Sequence, residues 1–170
     1  MVRAFFPGSF DPIHYGHIDI ARRAVRLFDE LIIAVYDKPL KSLLFTPEER
    51  IALVEEAFAS DPKIHVTGYS KLTVDACRDA DAQVIVRGLR VFSDFEFEFR
   101  MALANHRLAT DIESIALITH EEHTFISSTT VKEIAMLDGD VSSMVPPNVH
   151  EALREKIRAM EQRSSTPPRD

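Results

Sequence analysis

The chain has a single cysteine, Cys77. A disulfide framework and a cysteine-based zinc site are therefore excluded. On a helix beside Val74 and Arg78, a half-buried structural thiol is expected. Positive charge is also in short supply: 20 Lys and Arg face 27 Asp and Glu, a net charge of −7. Such a surface does not as a whole attract nucleic acid or an anionic membrane, so neither is expected as a partner. No apolar run approaches a membrane span, and the N-terminus lacks a signal-like apolar stretch, so a cytoplasmic location is expected. Familiar catalytic signatures are missing too. There is no G-x-x-x-x-G-K-S/T, no G-x-G-x-x-G after the first strand and no G-x-S-x-G elbow. Carboxylates do not cluster as they would around two metal ions, so no metal ligands are assigned.

What remains is an ordinary globular composition, 45% hydrophobic and 28% charged over 170 residues. One domain is expected over residues 1–162, with a Ser/Pro-rich, disordered tail over 163–170. Apolar runs at 2–6, 31–36, 64–67, 83–86 and 114–119 read as strands, the third nearer an edge. Helices alternate with them. The first has Ile18, Ala21, Val25 and Phe28 on its inner face. The second starts at Thr46-Pro47-Glu48-Glu49, an N-cap with its capping-box partner, and runs to about 59. The third covers 72–80, with Leu72, Ala76 and Cys77 inward. The fourth opens on a capping box, Ser93-Asp94-Phe95-Glu96, and ends near 108. Its apolar residues fall in two stripes, which fit either one wide core face or burial against both the sheet and another subunit. A hydroxyl-rich helix start at Ser127-Ser128-Thr129-Thr130 and a last helix over 148–161 complete the chain. The fold class is α/β, a Rossmann-like five-stranded parallel sheet flanked by helices, with C-terminal helices.

Ligands bind such sheets beyond the carboxyl ends of the strands. Pro7-Gly8 is expected to end the first strand and turn the backbone there. Ser9, His14 and His17 follow that strand. Lys38 and Lys41 follow strand two, Thr73 follows strand three, and Arg87 and Arg90 follow strand four. His123 and the Ser127-Ser128-Thr129 helix start follow strand five. All these polar groups therefore fall at one end of the sheet. Histidines at a helix N-terminus, with lysines and arginines near, suit a ligand with several phosphates, the triphosphate of a nucleotide foremost. With neither nucleophile nor metal cage, such a site positions reactants and stabilises charge, as direct transfer to phosphorus requires.

The run Pro7-Gly8-Ser9-Phe10-Asp11-Pro12 with His14-Tyr15-Gly16-His17, and Phe125-Ile126-Ser127-Ser128-Thr129, resemble the nucleotidylyltransferase superfamily. Arg87-Gly88-Leu89-Arg90 followed by Asp94-Phe95-Glu96-Phe97-Glu98 is similar to the bacterial phosphopantetheine adenylyltransferase family. So are Lys41, the segment from Phe45 to Arg50, and Pro147-Asn148-Val149-His150. The likeness runs from residue 2 to about 158. It implies transfer of the adenylyl group of ATP to 4′-phosphopantetheine, giving dephospho-coenzyme A and pyrophosphate, with Mg²⁺ required. It also implies a homohexamer, a dimer of trimers. Sister enzymes acting on nicotinamide mononucleotide tend to carry arginine where Lys132 stands, and lack the Arg87-to-Glu98 signature. A non-catalytic nucleotide-binding protein is the other alternative.

The same resemblance assigns roles. His17, Lys41, Ser9 and Arg90 would carry the chemistry. Ser9, Phe10, His14, His17, Gly88, Leu89, Arg90 and Glu98 would hold ATP. His123, Thr124, Phe125, Ile126, Ser127, Ser128 and Thr129 would wrap its adenosine and outer phosphates. Ser9, Lys41, Thr73 and Arg87 would meet the acceptor phosphate. Ser9 stands where threonine is commoner, which keeps the hydroxyl, and His14 completes an H-x-G-H that many relatives lack.

Overall fold

A computed structural model of the chain describes residues 1–39 and 42–164. Five strands form one parallel sheet in the order β3-β2-β1-β4-β5. They are β1 (Arg3–Gly8), β2 (Glu30–Tyr36), β3 (Ile64–Tyr69), β4 (Val84–Leu89) and β5 (Glu113–Ile118). The helices between and after them are α1 (Tyr15–Ala24), α2 (Pro47–Ala57), α3 (Thr73–Asp79), α4 (Phe92–Leu108), α5 (Ser128–Met136) and α6 (Pro147–Ser164).

The sequence of β1 explains the two-sided core. Ala4 and Phe6 point to one face, Phe5 to the other, as the strand period dictates. Ala4 and Phe6 join a cluster with Ile18 and Ala21 of α1, Leu53 and Val54 of α2, Val131 of α5 and Leu153 of α6. Phe5 joins a smaller cluster with Val74 and Cys77 of α3, Ile85, Ala109 and Ile112. Burial of both faces is why β1 and β2 read as unbroken apolar runs.

The strand order reverses at β1, where β2 and β3 lie on one side and β4 and β5 on the other. There the ladder is short. β1 pairs with β2 along its whole length, from Arg3↔Glu30 to Gly8↔Val35. With β4 it pairs only at Ala4↔Val84 and Phe5↔Ile85. Beyond these two pairs the strands part, opening a crevice at the topological switch point, where α/β sheets take ligands.

Several boundaries differ from the sequence reading. Pro7 and Gly8 remain in β1, paired with Ala34 and Val35. Gly8 has no positive φ; what it provides is space, since a Cβ there would sit 3.0 Å from the Phe10 ring. Gly68 lies inside β3, and Arg87, Gly88 and Leu89 inside β4. Helix α1 ends at Ala24, so Val25 is its C-cap and Phe28 lies beyond it. On α3, Leu72 is the exposed N-cap and Val74 takes the inner place. Cys77 is fully rather than half buried. Helix α4 starts at Phe92, before the expected cap at Ser93, and its N-cap is Val91, whose side chain has no acceptor to offer. Helix α6 runs through Ser164, taking in Arg163 and Ser164 from the expected tail; the rest of that stretch lies outside the described residues.

Helix α4 has no buried residue. Its Phe92, Phe95, Phe97, Phe99 and Leu103 are all at least half exposed. One wide core face is therefore not what its two stripes encode. No helix among the described residues is long and apolar enough to cross a membrane.

Candidate active site

A cavity of about 300 Å³ occupies the crevice between β1 and β4. Ser9, Phe10, His14, His17, Arg87, Gly88, Arg90, Glu98, Ser127, Ser128 and Thr129 line it. A second cavity, of about 200 Å³, adjoins it and is lined by Tyr36, Tyr69, Thr73, Met101, Ala102 and Asn105 among others. Pro7, Gly8, Ser9, Arg87 and Glu98 line both. So the site has two compartments with one common wall, and Ser9 and Arg87 stand in it. Leu40 and Lys41 lie outside the described residues.

Two helix N-termini face the first compartment. Neither α1 nor α5 has an acidic residue in its first turn, whereas α2 has Glu48 and Glu49. Their dipoles therefore favour an anionic ligand, although in α1 the first N–H groups are already engaged, Tyr15 by the Met144 carbonyl, Gly16 by His14 Nδ1 and His17 by the His14 carbonyl. At α5 the Ser127 hydroxyl caps the helix, accepting from the Thr130 N–H at 3.0 Å. The Ser128 hydroxyl donates to the Pro12 carbonyl at 2.9 Å, fastening α5 to the loop after β1.

At α1 the cap is histidine. His14 Nδ1 accepts the Gly16 N–H at 3.1 Å, and His17 Nδ1 accepts the His14 N–H at 3.3 Å. An accepting Nδ1 is unprotonated, so each neutral ring carries its proton on Nε2. The rings stack with centroids 3.7 Å apart, and the Phe10 ring meets His17 edge-on at 4.9 Å. His17 is thereby fixed in both tautomer and orientation. Burial pushes the His14 pKa down to about 3, with Arg90 and then His123 adding to the effect. His14 is therefore a neutral element of the loop across the physiological range. Gly16 permits this packing, since a Cβ there would stand 3.0 Å from the His14 ring.

Both arginines are held by carboxylates of α4, one turn apart. Arg87 donates from Nε and Nη2 to Glu98 at 2.8 and 2.7 Å, and from Nη1 to the Pro7 carbonyl. Arg90 donates from Nε and Nη2 to Asp94 at 3.0 and 3.2 Å, and from Nη1 to the Ile126 carbonyl at 2.9 Å. A guanidinium has five N–H donors. Each arginine therefore keeps donors beyond these contacts while its plane is fixed. Desolvation opposes ionisation of Asp94, but the Arg90 hydrogen bonds and charge outweigh it and lower its pKa.

Several expected contacts are relocated. Phe10 is 2% exposed and Ile126 1%, so their side chains serve the core. Only their backbones remain for a ligand. Thr124 Oγ1 donates to the Glu121 carbonyl, and Phe125 is largely exposed. His123 ends a short 3₁₀ turn (Glu121–His123) and stacks with Tyr15 at 6.5 Å. Leu89 stays in the strand behind the site, while Gly88 packs β4 onto Ile20 of α1. Thr73 lines the second compartment, 3.2 Å from the Tyr69 hydroxyl.

Sequence reasoning gave no role to Arg50 or Asp94 among the residues that hold these groups, while Glu98, expected at the nucleotide, is found on Arg87. Arg50 is fully buried, yet its Nη1 donates to the carbonyls of Ser9 and Tyr36 at 2.6 and 2.7 Å. Asp94 was obscured by the capping-box pattern around it, although its place four residues after Arg90 was a usable signal.

A parallel sheet split at its switch point, with two helix starts free of acidic residues and two oriented arginines, defines a nucleotide-binding transfer site. Residues 5–134 match the Cytidylyltransferase-like family model, and the chain belongs to that family. Within it, the chain's place is among the phosphopantetheine adenylyltransferases. It is 52% identical to the phosphopantetheine adenylyltransferase of a Roseiflexus species over 154 residues, 91% of this chain and 96% of that one. The enzymes of that name from a Nocardioides species and from Herminiimonas arsenicoxydans are each 49% identical. Those matches cover 94% and 95% of this chain and 99% of either relative.

Proposed function

We propose that the chain transfers the adenylyl group of ATP to 4′-phosphopantetheine, releasing pyrophosphate and giving dephospho-coenzyme A. The observation that carries this reading is the pair of compartments sharing Ser9 and Arg87. The polar one, with two helix N-termini, suits a triphosphate. The other, walled by Tyr69, Met101 and Ala102, suits an uncharged arm ending in a phosphate at the common wall.

In the proposed reaction a 4′-phosphate oxygen attacks the α-phosphorus of ATP in line. A new P–O bond forms as the bond to the pyrophosphate oxygen breaks. The attacking monoester is already ionised, so no general base is required. The work left to the protein is to bring two anions together and to stabilise charge on the transition state. Arg87 serves the acceptor phosphate. Arg90 and the α5 N-terminus serve the ATP phosphates. His17 directs its Nε2 proton to the reacting centre, and Lys41 is assigned to the acceptor phosphate by the family resemblance. Among the described residues no group of three or more His, Cys, Asp or Glu is placed to hold a metal. Mg²⁺ is accordingly proposed to arrive with ATP, on its phosphates and water.

The exposed aromatic face of α4 supports a further part of this reading, that copies of the chain cover it in a homohexamer, a dimer of trimers. The cytoplasm is the proposed location. Pure chain incubated with ATP, Mg²⁺ and each candidate acceptor, with pyrophosphate followed, tests the reaction. Turnover with 4′-phosphopantetheine is expected; turnover with nicotinamide mononucleotide alone overturns the assignment. Mass in solution tests the assembly.

A further inference from the structure

We propose that Asp11 is a positioning residue, whose single carboxylate sets the chain ahead of α2 against the turn that carries Ser9 and Phe10. Asp11 is 1% exposed. Its Oδ1 accepts the Phe45 N–H at 2.9 Å. Its Oδ2 accepts the Leu44 N–H at 2.9 Å and a proton of Lys132 Nζ at 2.7 Å. Three segments distant in sequence therefore meet on one buried anion: the loop after β1, the chain entering α2, and α5.

A buried carboxylate is strongly disfavoured unless its oxygens are paired. Here each oxygen is, and the donors are ones that no neutral side chain of the same size can serve. The two amides are consecutive and approach different oxygens. An asparagine has one acceptor oxygen and an NH₂ group, so it must present a donor to one of those N–H groups. The Lys132 ammonium is used in this contact, with its side chain 17% exposed, and it answers the Asp11 charge.

The consequence is asymmetric between the two compartments. The nucleotide side is fastened to the loop after β1 a second time, by Ser128 on the Pro12 carbonyl. The body of α2 is tied to that loop by Arg50 on the Ser9 carbonyl, but the chain ahead of it, at Leu44 and Phe45, is fastened through the Asp11 carboxylate, and Leu44 follows Lys41 by three residues in sequence. Asp11 thus governs acceptor binding more than nucleotide binding. This role rests on the function proposed above.

Steady-state kinetics with ATP and 4′-phosphopantetheine test it on three variants. Asp11→Asn should raise the acceptor KM about tenfold or more while the ATP KM stays within about threefold. Lys132→Met keeps both amide bonds and should leave the acceptor KM within about threefold of the native value. The double variant leaves no unpaired buried ammonium, so it keeps the test available where Asp11→Asn alone does not fold. Its acceptor KM should match that of Asp11→Asn. A parallel rise in both KM values overturns the proposal, as does lowered thermal stability with both unchanged, or recovery of the native acceptor KM in the double variant. A native chain that turns over no phosphopantetheine counts against the function, and Asp11 is then judged by amide hydrogen exchange. Faster exchange at Leu44 and Phe45 in the double variant, with β1 and β2 protection intact, supports its role; unchanged exchange overturns it.

Discussion

The buried imidazole of His14 makes the fold sensitive to acid in a calculable way. The unfolded chain takes up a proton at this residue near pH 6.5, the folded chain only near pH 3. Between those values acid favours the unfolded state, so stability falls as pH drops below about 6.5 and the loss levels off near pH 3. The limiting slope is about 1.4 kcal/mol per pH unit, or about 2 kcal/mol between pH 6.5 and 4.5. That is a substantial part of a typical domain's stability of about 5–15 kcal/mol. The perturbation is His14→Asn. Asparagine can still accept the Gly16 N–H as an N-cap, but it does not titrate. Loss of the ring stacked on His17 should cost about 1–3 kcal/mol at neutral pH. Urea unfolding of both chains, followed by circular dichroism from about pH 7.5 to 4.5, gives two stability curves. Carboxylates titrate alike in both, so the difference isolates His14. The variant should start lower and fall less steeply, closing the gap by about 2 kcal/mol. Parallel curves would refute the reasoning, and with it the neutral imidazole on which the His17 geometry rests.

Other expectations follow from single contacts. His17→Ala should cut kcat by about 10²–10³, or about 3–4 kcal/mol, with a far smaller change in ATP KM; equal losses in both would rule out a transition-state role. Arg50→Met removes the donor shared by the Ser9 and Tyr36 carbonyls, and should cost about 3–5 kcal/mol in urea unfolding. A negligible change would mean those carbonyls find other donors. Burial raises the Cys77 thiol pKa to about 12, and Sγ donates to the Ala82 carbonyl at 3.4 Å. A thiol reagent near neutral pH should leave it untouched until urea is added, whereas ready labelling of the native chain would contradict its burial.

Much of this was legible before any coordinates. The unbroken apolar runs around Phe5 and Ile33 disclosed strands buried on both faces, because only a parallel sheet between helices needs them so. The third strand alternates, and β3 is an edge. Thr46, Pro47 and Glu49 disclosed the start of α2, because a capping box is local chemistry. Ser9, His17, Arg87, Arg90 and Ser127 could be gathered at one end of the sheet, because parallel strands put every βα loop on the same side. The differences arose where packing overrode a local signal. Ser93 and Glu96 have a capping-box pattern, but the helix begins at Phe92 with Val91 as its N-cap, which puts Ser93 inside the first turn. Phe10, expected at the nucleotide, has its ring buried against Phe6 and His17, which leaves its backbone for a ligand.

The sequence by itself determined the order of elements and the end of the sheet at which the polar groups gather, since both depend on periodicity and on strands that all run the same way. Tertiary structure alone decided that β1 and β4 separate after Phe5 and Ile85, that Arg87 stands in a wall common to two compartments, and that His14 is neutral. Those outcomes come from strand register, desolvation and contacts between residues as far apart as Asp11 and Lys132, quantities that exist only once the chain has closed on itself.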